Sequence, residues 1–238
     1  MIDTSKGRIL VEMTPEAAPA HVVRVRELAR AGFYDGRSFF RVINDFMAQT
    51  GDPKDDGTGG SDKPNLPAEF TFRRGSATPM VLVAEPSVTE VGFLGALPVM
   101  SQSSMLMPMT ADGKVAAWPL YCPGVAAMAR AGDPNSANSQ FFLMRQAYPS
   151  LERNYTAWGR AISGLEVIRA IKTGEPVEPP RDIMTKVRVL ADLPDAERLK
   201  VRVIDPAGAW FKAQAVNVRT DMGASFTPCA IPIPVEVK

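Results

Sequence analysis

The sequence predicts a mainly β protein, a closed antiparallel β-barrel of about eight strands capped by two α-helices. Three observations predict this class. Short strand-like runs alternate with Gly, Pro and Asn turn signals, and only two segments carry helical spacing. Apolar residues make up 45% and charged residues 22% of the 238 residues, as in ordinary globular proteins.

The first predicted elements are a strand, a helix and a pair of strands. Residues 8–13 alternate apolar and polar side chains, which is typical of a half-buried strand. Apolar residues then recur at helical spacing from Pro19, which suits a first helical turn, until Gly32, which suits a helix end. Residues 38–43 and 46–50 follow as two short strands, joined by a turn-favouring Asn-Asp pair.

The remaining barrel elements follow a Gly- and Pro-rich loop at residues 51–67, which we expect on the surface. Residues 164–172 predict the second helix. Five further strands are predicted at residues 80–84, 124–129, 140–144, 156–162 and 186–193.

Two segments do not fit the barrel. Residues 85–123 are too long for an ordinary connection, so we expect an inserted segment with local structure or a function of its own. Residues 194–238 form an extension that we expect to pack on the barrel domain at residues 1–193. Strand-like runs in the extension lie at residues 200–204, 209–218 and 231–237.

Composition excludes several functions. With 27 basic and 26 acidic residues the net charge is +1, which gives no long-range attraction to nucleic acid or anionic membranes. Because His21 is the single histidine, we expect no metal site and no histidine-based catalysis. No apolar run is long enough to span a bilayer. Cys122 and Cys229 suit either one disulfide or two buried thiols.

Two sequence blocks carry a family resemblance. Residues 39–52 read F-F-R-V-I-N-D-F-M-A-Q-T-G-D, which is similar to the cyclophilin signature F-x-R-V-I-x-x-F-M-x-Q-x-G. Residues 124–132 read G-V-A-A-M-A-R-A-G and residues 138–143 read N-S-Q-F-F-L, which resembles the family's second block. Both blocks occur in the family's order, and residues 57–60, 158–160 and 164–168 add shorter matches.

The resemblance implies a cyclophilin-like barrel and peptidyl-prolyl cis/trans isomerase activity without a cofactor. It assigns the chemistry to Arg41, with Gln49 orienting the guanidinium and the substrate. Substrate binding falls to a larger set. The apolar pocket is assigned to Phe46, Met47, Phe142 and Leu151, the backbone contacts to Ala129 and Arg130, and further wall positions to Gln140 and Tyr155.

The chemistry explains why an arginine suits this reaction. The X-Pro C–N bond has partial double-bond character and a rotation barrier of ~18–20 kcal/mol. When the bond twists, the prolyl nitrogen gains a lone pair, and a fixed cationic donor stabilises that twisted state. Arginine offers a permanent charge on a planar, directional fork, whereas lysine offers a mobile point charge.

The sequence is also compatible with other interpretations of Arg41 and of the fold. Taken alone, Arg41 in a strand could be a solvated surface residue, and only its flanking motif favours catalysis. A cyclophilin-like binding or chaperone module for Pro-containing segments, or a structural interaction protein, would use the same fold. Arg130 stands where many cyclophilins have Asn and is expected to add positive charge beside the groove.

Partners and compartment follow from the resemblance and the cysteines. We expect a monomer that acts on Pro-containing segments of client proteins, and neither nucleic acid nor a membrane as a partner. The two distant cysteines, the abrupt start at Met1 and the similarity to exported bacterial members favour the periplasm, whereas the absence of a visible signal segment favours the cytoplasm. The cytoplasm is the alternative.

Overall fold

Fifteen strands and three α-helices are present in the computed structural model, which describes residues 1–238. The helices are α1 Pro19–Arg30, α2 Leu165–Ala170 and α3 Ala209–Met222. The strands are β1 Ile2–Thr4, β2 Gly7–Met13, β3 Arg41–Val42, β4 Met47–Thr50, β5 Phe72–Arg74, β6 Val81–Ala84, β7 Thr89–Leu94, β8 Leu97–Gln102, β9 Val115–Pro119, β10 Val125–Met128, β11 Phe141–Met144, β12 Ala157–Ser163, β13 Met184–Val187, β14 Val201–Val203 and β15 Val235–Val237. None of the helices is long and apolar enough to cross a bilayer.

Eight strands form one curved antiparallel sheet in the order β13-β1-β2-β12-β10-β11-β4-β3. Its two edges approach each other through single bridges between Ser38 and Ile183 and between Val42 and Gly174. The predicted barrel is therefore confirmed, although its last seam is closed by isolated bridges rather than by a continuous ladder.

Helix α1 packs its apolar face onto the barrel core. Pro19 occupies the first turn, where its missing N–H leaves no bond unmade, and Val22 and Leu28 are buried. The chain then turns at Gly32, whose φ of +68° favours glycine. Helix α2 follows β12 and buries Ile168 in the same core.

Residues 186–193, predicted as one strand, are only partly extended. Strand β13 ends at Val187, and Leu190–Asp192 form a turn of 3₁₀-helix. Val187 lies opposite Ile2, and Arg188 exchanges two backbone hydrogen bonds with Met1, after which the chain leaves the ladder for the 3₁₀ turn.

The inserted segment belongs to a second, five-stranded antiparallel sheet in the order β5-β9-β8-β7-β6. This sheet begins at Phe72, before the predicted start of the insertion at residue 85. The run at residues 80–84, predicted as a barrel strand, is therefore wrongly placed: it forms β6 of the second sheet, paired with β7.

Residues of this sheet belong to two hydrophobic clusters. Val91 and Leu97 pack with barrel residues, whereas Phe93 packs with α3. The insertion thus lies between the barrel and the extension.

The C-terminal extension corrects one strand prediction. Residues 209–218 lie within helix α3, because Phe211 and Ala215, one helical turn apart, are buried together against Phe93. The outer strand-like runs exist in shorter form as β14 and β15. A disulfide joins Cys122, at the end of the insertion, to Cys229, with 5.1 Å between the Cα atoms.

Candidate active site

One face of the barrel sheet gathers the residues of both motif blocks. Arg41 on β3 lies opposite Gln49 on β4, which lies opposite Phe142 on β11. Side chains directly opposite in a ladder share a face, and Met47 joins them because it lies two residues from Gln49. Val42, one residue out of phase, belongs to the barrel core instead. Strand alternation thus separates groove from core.

A chain of polar groups crosses this face. Arg41 Nε donates to Glu175 Oε1 at 2.5 Å, and Nη1 donates to Gln49 Oε1 at 3.3 Å. Gln49 Nε2 donates to Gln140 Oε1 at 2.9 Å, and Gln140 Nε2 donates to the carbonyls of Gly57 and Gly59 at 3.0 and 2.8 Å. Each amide therefore has one orientation that satisfies its neighbours.

The free donors of Arg41 face the groove. Glu175 accepts the hydrogen bond from Nε–H, and Gln49 accepts one from Nη1–H. The second Nη1–H and both Nη2–H groups therefore bond no protein acceptor. The Arg41 side chain is about one-third exposed, at 35%. It is consequently held at two points while its outer edge remains available to a ligand.

Beside the guanidinium lies an apolar pocket of about 180 Å³. Phe142 forms its floor and stacks edge-on against Tyr155 at 5.9 Å between ring centroids. The pocket accommodates a small ring such as that of proline. Its lining comprises Arg41, Phe46, Met47, Gln49, Ala129, Arg130, Phe142, Leu151 and Tyr155.

Of the predicted site residues, Gln140 alone lies outside that pocket. It lines an adjoining cavity of about 410 Å³, together with Gly57, Gly59 and Asn138. Gln49 borders both spaces. The structure therefore brings all ten predicted residues to one groove with two connected compartments.

Arg130 is more constrained than the sequence indicates. Its guanidinium lies over the Tyr155 ring at 4.6 Å and near the Phe70 ring at 5.5 Å. Nε donates to the carbonyl of Asn154 at 3.0 Å, and Nη1 donates to the carbonyl of Ala131 at 2.9 Å. Besides carrying charge, the Arg130 side chain links three segments of the groove wall: its own loop, the segment at residues 154–155 and the segment at residue 70.

Two titratable groups lie behind the wall. Burial raises the pKa of Glu152 to about 7, while a hydrogen bond from the Trp118 side chain lowers it. Burial also raises the pKa of Tyr121 well above its ordinary value, and its hydroxyl has no hydrogen-bond partner. Trp118 lies on β9, so the inserted sheet contacts the groove wall from behind.

Sequence reasoning missed Glu175 and Glu152. Glu175 lies 134 residues after Arg41 and reaches it only because the bridge between Val42 and Gly174 aligns the two segments. No local pattern marks such a pairing. For Glu152 the sequence held a weak signal, a carboxylate immediately after pocket residue Leu151, but its burial depends on the unpredicted sheet.

This fold and this groove define a class of protein, and sequence comparison agrees with it. The family described as cyclophilin-type peptidyl-prolyl cis-trans isomerase matches residues 1–190. The chain belongs to this family, and it is a peptidyl-prolyl cis/trans isomerase.

Individual relatives support the same assignment. A probable peptidyl-prolyl cis-trans isomerase of Brucella suis is 34% identical over 183 residues, covering 72% of this chain and 70% of that protein. An isomerase of Schizosaccharomyces pombe is 30% identical over 184 residues, covering 75% and 91%.

Solved structures resemble the chain to different extents. The crystal structure of a cyclophilin from Hirschia baltica is 33% identical, has a TM-score of 0.90, and covers 99% of this chain and 89% of its own. A Cryptosporidium parvum isomerase, crystallised in the presence of the dipeptide Ala-Pro, is 20% identical with a TM-score of 0.54 and covers 79% and 96%. The Hirschia likeness therefore includes the inserted sheet and the extension.

Proposed function

We propose that the groove binds a Pro-containing segment of a client protein and that Arg41 lowers the barrier to rotation about its X-Pro bond. The proline ring enters the apolar pocket over Phe142. Backbone groups of Ala129 and Arg130 hold the preceding residue. One half of the amide is thereby fixed while the other half rotates.

The observation that carries the proposal is the two-point anchoring of the Arg41 guanidinium beside a ring-sized pocket. A donor fixed before the reaction stabilises the twisted amide without reorganising. An acceleration of about a hundred thousand requires about 7 kcal/mol at ~1.4 kcal/mol per factor of ten. A charged hydrogen bond to the prolyl nitrogen, together with desolvation and restraint in the pocket, supplies effects of that kind.

The same geometry supports a preference among flanking residues. Arg130 has no carboxylate partner, and its charge lies beside the groove, whereas Glu175 offsets the charge of Arg41. We therefore expect segments with an acidic residue near the Arg130 side to bind better than those with a basic residue. Equal turnover of the two peptides would contradict this preference.

The test is isomerisation of an Ala-Pro peptide, followed by protease-coupled assay or NMR exchange. Arg41→Ala should lower kcat/KM by at least a hundredfold while unfolding at the same urea concentration as wild type. Arg30→Ala is the matched control, because Arg30 also pairs with a carboxylate, Asp192, but does so on the exposed surface. Its activity should be unchanged.

The outcomes distinguish an enzyme from a binding module. If Arg41→Ala retains full activity, the assignment of the chemistry is wrong. If the wild type binds the peptide but does not accelerate exchange, the groove is a binding site for Pro-containing segments, as in the alternative considered from the sequence.

We also propose an oligomeric state and a cellular compartment for the protein. We propose a monomer in an oxidising compartment, the periplasm, since the bond between Cys122 and Cys229 suits such a compartment. Sedimentation at several concentrations tests the monomer, and cell fractionation tests the compartment.

A further inference from the structure

Arg160 is a buried cation without a carboxylate partner. The residue is 9% exposed, and burial lowers the pKa of its guanidinium to about 10. Nε donates to the carbonyl of Pro123 at 3.1 Å, and Nη1 donates to the carbonyl of Ala96 at 3.2 Å. Carbonyl dipoles satisfy hydrogen bonds, but they do not neutralise a full charge removed from water.

The nearest carboxylate in the sheet is engaged elsewhere. Glu12 lies opposite Arg160 across β2 and β12, yet its Oε2 accepts from the backbone N–H of Ala96 at 3.0 Å. Ala96 thus separates the two charges by bonding both of them, and no ion pair forms. The three N–H groups of Arg160 that remain bond no protein acceptor.

These donors adjoin a cavity of about 350 Å³ between the barrel and the extension. We call it the seam cavity. Its size falls in the range of small-molecule pockets, roughly 300–1,000 Å³. Its lining is mixed: Arg160, Ser163 and Glu166 contribute polar side chains, and the apolar ones include Leu165, Cys229, Ile231 and Ile233.

We propose that the seam cavity binds a small alkyl carboxylate, whose head group pairs with Arg160 and whose chain packs on Leu165 and Ile233. An unpaired, directional cation that shares a cavity with aliphatic side chains suits a ligand with one anionic end and one apolar end. Glu166 is exposed, so water screens its repulsion of the head group.

The site lies apart from the isomerase groove. None of the groove residues lines the seam cavity. Its walls join the extension to the barrel next to the disulfide at Cys229, so a bound carboxylate should stabilise that junction by mass action. The ligand is expected to raise the thermal midpoint and leave turnover of the Ala-Pro peptide unchanged.

Binding is tested with sodium octanoate by calorimetry and by NMR titration of the intact protein. Octanoate should bind with a Kd below a millimolar and shift amide signals of Arg160 and residues 229–233. Octanol, which lacks the charge, and acetate, which lacks the chain, should each bind at least tenfold more weakly. No saturable binding, or equal binding of octanol, overturns the proposal.

Variants assign the contacts. Arg160→Gln should weaken octanoate at least tenfold, and unchanged affinity overturns the proposal. Ile233→Glu keeps Arg160 but places a carboxylate in the cavity, and should abolish binding. Val216→Glu adds the same charge on the exposed face of α3 and should bind octanoate normally. Isomerase activity reports whether the barrel of each variant is folded, and hydrogen exchange in α3 reports the same for the extension. If Arg160→Gln is not folded, Ile233→Glu decides the question.

Discussion

Replacing Glu152 by Gln should make the stability of the protein less dependent on pH. Glu152 follows Leu151 in the groove wall, and burial raises the pKa of its carboxyl from 4.5 to about 7. A raised pKa means that folding favours the protonated form. The stabilisation is fully present below pH 4.5 and is lost as the pH rises through 7. Gln keeps an acceptor for Trp118 but removes the charge.

The magnitude follows from the two pKa values. The difference between 4.5 and about 7 corresponds to about 3.4 kcal/mol at ~1.36 kcal/mol per tenfold change in proton affinity. Since Glu152 is only partly buried, solvent screening reduces this to about 1–2 kcal/mol. Glu152→Gln should therefore be more stable than wild type by about that amount at pH 8.5, and nearly equal to it at pH 4.5.

Urea unfolding at both pH values measures the difference. Glu27→Gln, at an exposed position on α1, is the control for removing one carboxylate and should change little at either pH. The reasoning is refuted if Glu152→Gln is no more stable at pH 8.5, or if its advantage is the same at both pH values.

Three other predictions concern the groove and the extension. Glu175→Gln weakens the anchor of Arg41 and should lower kcat/KM by about two- to tenfold, the equivalent of ~0.5–1.5 kcal/mol; a loss as large as that of Arg41→Ala would show that Glu175 does more than orient. Cys122→Ser with Cys229→Ser opens a link between positions 107 residues apart and should cost about 2–5 kcal/mol in urea unfolding, with isomerase activity retained in the folded protein. Phe211→Ala should destabilise the extension by about 3–5 kcal/mol, and hydrogen exchange should rise in α3 but not in the barrel strands.

Local pattern was sufficient for most of the barrel strands, and the family resemblance located the groove residues. The strands that carry Arg41 and Gln49 lie inside a short hairpin whose turn and alternation are visible in sequence. Helix α1 has both its Pro start and its Gly end within fourteen residues of each other in the sequence, Pro19 and Gly32. Such elements depend on neighbours in the chain, so single-sequence reasoning finds them.

The missed elements depend on distant contacts. In the inserted sheet, β7 and β8 are buried almost continuously, so no alternation separates two faces, and the segment does not read as a pair of strands. Helix α3 contains two valines, Val216 and Val218, which favour a strand, but its packing on Phe93 decides otherwise. Residues 209–218 were predicted wrongly for that reason.

Because Arg41 and Glu175 lie 134 residues apart in the chain, their hydrogen bond links the activity of the groove to the order in which the chain is synthesised and folded. Arg41 and Gln49 are both synthesised more than a hundred residues before Glu175. The second anchor of Arg41 arrives only when the strand bridge to Gly174 forms at the seam of the barrel. During vectorial synthesis, full turnover should therefore appear only after residue 174 has joined the barrel, and a shorter nascent chain should turn over X-Pro bonds several-fold more slowly than the finished enzyme.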